Sequence, residues 1–181
     1  MPSSWIAGAR RIPSPNSDSR PPGSVVDLVV LHSISLPRGD YGGDAIERLF
    51  TNRLDARLDP AVDPSFADLA GLRVSAHFLV RRDGELVQFV PLARRAWHAG
   101  VSRWRGRERC NDFSVGIELE GVDDAEFAAV QYERLAQLIR KLRARLPLRH
   151  LAAHSDVAPG RKTDPGARFE SPRLLGALAR H

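Results

Sequence analysis

The chain has a single cysteine, Cys110, so no internal disulfide can staple it, and a reducing compartment is the default reading. It has no apolar run of about 18 residues, which excludes a transmembrane helix. Its start, MPSSWIAGARRIPSPNSDSR, lacks an apolar stretch of signal-peptide length, so a cytoplasmic location without membrane attachment is expected. Helix-turn-helix, finger and ribonucleoprotein signatures are also missing. The surplus of 27 Lys+Arg over 22 Asp+Glu, a net charge of +5, therefore reads as scattered arginine rather than a nucleic-acid module. One denser patch, Arg103, Arg105, Arg107 and Arg109, stays open between solvated surface and ligand contact.

What is present fits one soluble globular domain of 181 residues, 43% hydrophobic and 27% charged. Residues 1–24, rich in Ser, Pro and Arg, read as an extended arm packed on a domain spanning 25–181. Residues 25–31, VVDLVVL, have the β-branched pattern of a buried central strand that ends at His32. Asp44 is placed to cap a short helix, and Asp83-Gly84 signals a hairpin between strands 77–82 and 86–91. In 113–120 the apolar Phe113, Val115, Ile117 and Leu119 alternate with Ser114, Gly116, Glu118 and Glu120, so one strand face bears two carboxylates. A long amphipathic helix follows from a cap at Asp124 to about Leu146, then a strand over 148–153, then a terminal helix with Ser171 as cap and Pro172 at its first position. The expected fold is mixed α/β, a central mixed sheet flanked by helices.

The run HSDVAPGRKTDPG, His154 to Gly166, packs His154, Lys162 and Asp164 into a Pro/Gly-stiffened turn. Imidazole nitrogen and carboxylate oxygen both suit zinc, and a catalytic zinc takes three protein ligands. A solvated surface loop is the plainer alternative. Among the other histidines, His150 lies about 13 Å along a strand from His154, too far to share one zinc. His181 is terminal, and His77, at the start of a hairpin strand, reads as a satisfied half-buried histidine. His32, at the carboxyl end of a central strand where α/β sheets bind ligands, is the best third ligand.

Together LVVLHSIS, RVSAHFLVRRDGELVQ, RAWHAGVS, GRERCNDFSVGIELEG and HSDVAPGRKTDPG make the chain resemble the AmpD family of cytosolic bacterial 1,6-anhydro-N-acetylmuramoyl-L-alanine amidases, from about residue 5 to about 175. The resemblance implies the fold shared with peptidoglycan recognition proteins, a Zn2+ cofactor and His32, His154 and Asp164 as its ligands. Two neutral imidazoles and one carboxylate leave zinc net positive, able to polarise a carbonyl and to lower the pKa of a bound water nucleophile. By resemblance Glu118 is the general base and acid, though strand alternation alone does not separate it from Glu120, and Lys162 stabilises the oxyanion. Trp97 and His98 are implied to flank the substrate groove. Arg73 and Arg109 match positions that contact the peptide stem, where guanidinium groups suit carboxylates. Ser33, Ser155 and Gly160 depart from the family pattern without removing a ligand.

The leading expectation is hydrolysis of the amide between the lactyl group of 1,6-anhydro-N-acetylmuramic acid and L-alanine, in cell-wall recycling, by a monomer acting on soluble anhydromuramoyl-peptides. The alternatives are a non-catalytic peptidoglycan-fragment binding protein, an amidase acting on intact murein sugars, and a basic nucleic-acid module built on Arg103 to Arg109. Residues 51–72, weakly periodic and set between two site-bearing strands, are expected to close over the substrate.

Overall fold

Leucine and valine recur with period two through the middle of the chain, and that pattern builds the sheet on which everything else is hung. The computed structural model describes residues 4–54, 69 and 71–180. In chain order its elements are β1 (Arg10–Arg11), β2 (Ser17–Ser19), β3 (Leu28–Ile34), α1 (Ala45–Phe50), β4 (Phe78–Val80), β5 (Leu86–Gln88) and β6 (Arg94–Ala96). There follow β7 (Arg103–Trp104), β8 (Arg107–Glu108), β9 (Ser114–Glu120), α2 (Ala129–Arg143), β10 (His150–Ala153), α3 (His154–Val157) and α4 (Ser171–Ala179). A six-stranded sheet has the order β1-β5-β4-β9-β3-β10. Only the β4–β5 hairpin is antiparallel in it, so the sheet is mixed, as the sequence predicts.

Alternation sorts β3 and β9 onto two faces. Val29, Leu31, Val115, Ile117 and Leu119 pack under α2 and α4 against Leu135, Leu138, Ile139, Leu142 and Leu174. The opposite face carries Leu28 and Val30, which meet Ala99, Phe113 and Val157. Farther across, Leu79 and Val87 meet Ile46, Leu49 and Phe50 of α1. Burying each of these leucines is worth about 1.5–3 kcal/mol, so the faces are held apart firmly. His32 and Glu118 occupy paired positions of adjacent parallel strands on the second face. Ala153 pairs with Leu31, which puts His154 one step beyond, beside His32.

Several boundaries differ from the sequence reading. Val25 is 56% exposed and outside the strand, which starts at Leu28 and runs two residues past His32. The helix expected from Asp124 begins at Ala129, because the Gln131 side chain accepts the N–H of Ala128 at 2.9 Å while Asp124 pairs with Arg38 at 3.0 Å. At α4 the cap position is Glu170 and Ser171 is already helical. Asp44 does hold the cap position of α1, yet its side chain makes no cap hydrogen bond. The strand before His154 starts at His150, since the N–H groups of Arg149 and His150 are both drawn to the Asp27 carbonyl. Both faces of β9 are buried, including its two carboxylates. Residues 4–24 supply β1 at the sheet edge and β2 against β6, and bury Ile6 completely. Of the segment expected to close over substrate, residues 55–68 and 70 lie outside the described residues, as does His181.

Of the arginine patch, Arg103, Arg105 and Arg109 are exposed and Arg107 is half-buried. β7 and β8 form a ribbon, Arg107 pairs with Asp27 at 2.9 Å and lies 3.9 Å from the centre of the Phe113 ring, and Arg109 pairs with Asp112 at 3.4 Å.

Candidate active site

Two parallel strands and one loop deliver the candidate ligands. β3 presents His32, β10 ends where His154 opens α3, and the loop after α3 returns Asp164, its carbonyl accepting the Ser155 N–H at 3.1 Å. His32 Nδ1 lies 2.9 Å from His154 Nδ1, and Asp164 Oδ2 lies 3.0 Å from His154 Nδ1 and 3.3 Å from His32 Nδ1. All three ligand atoms fall within 4.8 Å of one another. Two imidazole nitrogens and a carboxylate oxygen pointing at one spot are a set of Lewis bases that a cation would satisfy. Their far sides are already engaged: His32 Nε2 meets His98 Nδ1 at 2.9 Å, and His154 Nε2 meets the Ala99 carbonyl at 3.3 Å. The donor set fits zinc.

Charge follows burial. His32 is 2% exposed, and desolvation lowers its pKa to about 4 despite the Asp164 carboxylate, so it is neutral near pH 7 and its lone pair is available. Burial acts to raise the Asp164 pKa, but hydrogen bonds from His154 and His32 overcome it and hold the carboxyl below the ordinary range.

Glu118 and Glu120 separate here. Glu120 accepts hydrogen bonds from Arg81 at 2.9 Å, from the Gly42 N–H at 2.8 Å and from the Arg82 N–H at 3.0 Å. Glu118 is 8% exposed, and its Oε2 is buried with no hydrogen-bond partner among the described residues. Desolvation first, and the nearby Asp164 charge second, push the Glu118 pKa well above the usual carboxylate range, while Lys162 pulls it back. Both sides of this balance line one cleft of about 500 Å3. Its polar wall carries His32, Glu118, Lys162 and Asp164, and its apolar wall includes Leu49, Leu72, Val74 and Trp97.

A family model described as N-acetylmuramoyl-L-alanine amidase matches residues 22–167. The chain belongs to the N-acetylmuramoyl-L-alanine amidase family. It is 52% identical to the 1,6-anhydro-N-acetylmuramyl-L-alanine amidase AmpD of Salmonella typhimurium, over 98% of this chain and 95% of the relative. It matches the crystal structure of a selenomethionine AmpD derivative with a TM-score of 0.91 at 50% identity, covering 97% of each chain. A peptidoglycan recognition protein-LE, solved in complex with tracheal cytotoxin, shares the fold alone, with a TM-score of 0.62 at 15% identity over 91% of each chain. The resemblance seen in the sequence motifs is borne out along the chain, and the protein is an amidase, a hydrolase.

The remaining predicted positions of the amidase divide. Trp97 and His98 line the cleft, as does Ser33. Arg73 is exposed beside it, in a smaller hollow that shares Leu49, Leu69 and Leu72 with the cleft wall. Arg109 lies apart, its side chain 71% exposed in a separate hollow with Val101, Pro159 and Arg161. His77 is fully buried rather than half-buried and is satisfied: its Nδ1 accepts the Gly116 N–H at 3.1 Å, and its Nε2 lies 3.1 Å from the Arg94 carbonyl. His150 stays outside the cluster, edge-on to Trp104.

Sequence reasoning missed Asn111, whose Oδ1 accepts the N–H groups of His98 at 3.2 Å and Ala99 at 2.8 Å. That one side chain holds the backbone of His98 and of Ala99, whose carbonyl faces His154. Its only signal was an asparagine just before a strand, a common turn residue.

Proposed function

We propose that this amidase hydrolyses the amide between the lactyl group of 1,6-anhydro-N-acetylmuramic acid and the L-alanine of a stem peptide, as a monomeric, zinc-dependent enzyme of cytoplasmic murein recycling. The observation that carries the reading is the buried, unpartnered Glu118 Oε2 sharing a cleft with the three converged donors. The named activity of the Salmonella relative supplies the bond. His32, His154 and Asp164 would hold the zinc, with residues 25–181 forming the amidase domain and residues 1–24 an arm packed on it.

Zinc bound there supplies Lewis-acid polarisation of the amide carbonyl and a more acidic water. Glu118 takes the proton of the attacking water as its oxygen adds to the carbonyl carbon. It then passes that proton to the alanine nitrogen as the C–N bond breaks, leaving a lactyl carboxylate and a free peptide amine. A carboxyl whose pKa burial has raised is a stronger base than a solvated one, which suits this task. Lys162, at the mouth of the cleft, offers its ammonium to the oxyanion. Trp97 forms the wall for the sugar or peptide, Arg73 meets a stem carboxylate beside the cleft, and a role for Arg109 would require the stem to extend beyond the cleft to its separate hollow.

Incubating the protein, with one equivalent of zinc, with an anhydromuramoyl-tripeptide and separating the products tests this directly. Free tripeptide and anhydromuramic acid are expected. Intact substrate, with the Salmonella relative cleaving it in parallel, would overturn the reading. Turnover of a reducing-end muramoyl peptide beside it reports how strictly the anhydro ring is required.

A further inference from the structure

His98 lines the cleft, yet neither of its ring nitrogens faces outward. Nδ1 lies 2.9 Å from His32 Nε2, and Nε2 lies 3.1 Å from Ser114 Oγ. Its ring rests directly on Gly116, where a Cβ would come within 2.4 Å of His98 Cγ, so only glycine admits it. Asn111 grips its backbone N–H from the other side. Both ring nitrogens are thus engaged by the protein, while the half-buried ring still lines the cleft. The ring has a fixed relation to a metal-site histidine.

A neutral imidazole carries one N–H and one lone pair, and the partner of one nitrogen decides which faces the metal. For His32 to offer its Nδ1 lone pair beside His154 and Asp164, its Nε2 must carry the proton and donate it. His98 Nδ1 is the acceptor within reach, and His98 then places its own proton on Nε2, toward Ser114 Oγ. His154 obtains the same result more simply from the Ala99 carbonyl. We propose that His98 and Ser114 form a two-step hydrogen-bond relay that sets the tautomer and ring orientation of His32, making them positioning residues of the metal site. The proposal rests on the zinc reading above. It deepens that reading by assigning the outer partners that such ligands need.

The test measures zinc affinity by chelator competition in the full chain, for the wild-type protein, His98→Leu, His98→Asn and Ser114→Ala, with thermal unfolding as a control on folding. His98→Leu removes the acceptor and is expected to weaken zinc binding about 10- to 100-fold. His98→Asn returns an acceptor oxygen near the Nδ1 position and is expected to recover most of that loss. Ser114→Ala, the smaller change should His98→Leu fail to fold, is expected to weaken binding several-fold. Nitrogen-15 NMR of the zinc-loaded wild-type protein should show His98 protonated at Nε2 and bare at Nδ1. The opposite tautomer, or variant affinities within twofold of wild type, would overturn the relay alone. Failure of the wild-type protein to bind zinc would overturn the metal site and the relay together.

Discussion

Two hollows of similar size flank β4 and β9, about 500 Å3 around Glu118 and about 460 Å3 around Glu120, and they hold opposite electrostatic states. In the second, every carboxylate has a guanidinium partner within Arg10, Arg81, Glu47, Glu85 and Glu120, with Arg10 to Glu47 at 2.6 Å, Arg10 to Glu85 at 2.7 Å and Arg81 to Glu120 at 2.9 Å. In the first, a carboxylate is buried without a hydrogen bond to one oxygen, close to another acid. The two glutamates share a strand and a face, so the difference lies in what the rest of the chain brings to them. One hollow spends its charges on stability and the other keeps an imbalance available for chemistry.

Removing the charge at each position should therefore act with opposite signs. Glu118→Gln is expected to lower amidase turnover by about 10²- to 10⁴-fold, the range for a general acid–base group. It should also raise the thermal midpoint of the metal-free protein, because a buried, unsatisfied acid has been neutralised. A lower midpoint would break the contrast. Glu120→Gln removes a buried carboxylate that accepts from Arg81 and from the N–H groups of Gly42 and Arg82, while Arg81 keeps Glu47 and Glu85, and is expected to cost roughly 1.5–3 kcal/mol in urea unfolding. Loss below about 1 kcal/mol would show that the Arg81 network tolerates a missing member. Lys162→Met, on the cleft side only, is expected to cut turnover by about 10²- to 10³-fold with zinc affinity little changed, as for loss of one oxyanion donor. Equal turnover would return Lys162 to the exposed surface.

The smallest effect per step concerns acid. His77 is buried and bonded in its neutral form, and desolvation, aided by the Arg20 charge, lowers its pKa from 6.5 to about 3. Below about pH 6.5 the unfolded chain takes up a proton that the folded one refuses. The stability is thus present above that pH and is lost as pH falls toward 3, by about 1.4 kcal/mol per pH unit. His77→Gln should flatten the slope of urea midpoints measured from pH 7 to pH 4. An unchanged slope would shift the acid sensitivity to other buried groups.

The convergence of His32 with His154 and Asp164 was legible in part because a β-branched strand and a turn stiffened by proline and glycine are local patterns, although the strand runs two residues past His32 and both imidazoles are buried. The sheet was legible for the same reason, since its apolar alternation is local. The choice between Glu118 and Glu120 was not, because Gly42 and Arg81 reach Glu120 from 78 and 39 residues away. Asp124 misled for a related reason: an aspartate before an amphipathic run looks like a cap until a distant Arg38 claims it. His98 carried two meanings, and only the distances to His32 and Ser114 bring out the second.

The pairing of His32 with Glu118 across β3 and β9 is written in main-chain hydrogen bonds. Side-chain substitutions elsewhere therefore leave the spacing between a ligand and the base nearly untouched, whereas inserting one residue upstream within either strand would turn its functional side chain toward α2. The loops that shape the cleft are free of that constraint. Exchanging them between amidases should retune which peptide is accepted while the reactive pair keeps its separation, so this sheet can serve as a fixed ruler for redesign of specificity.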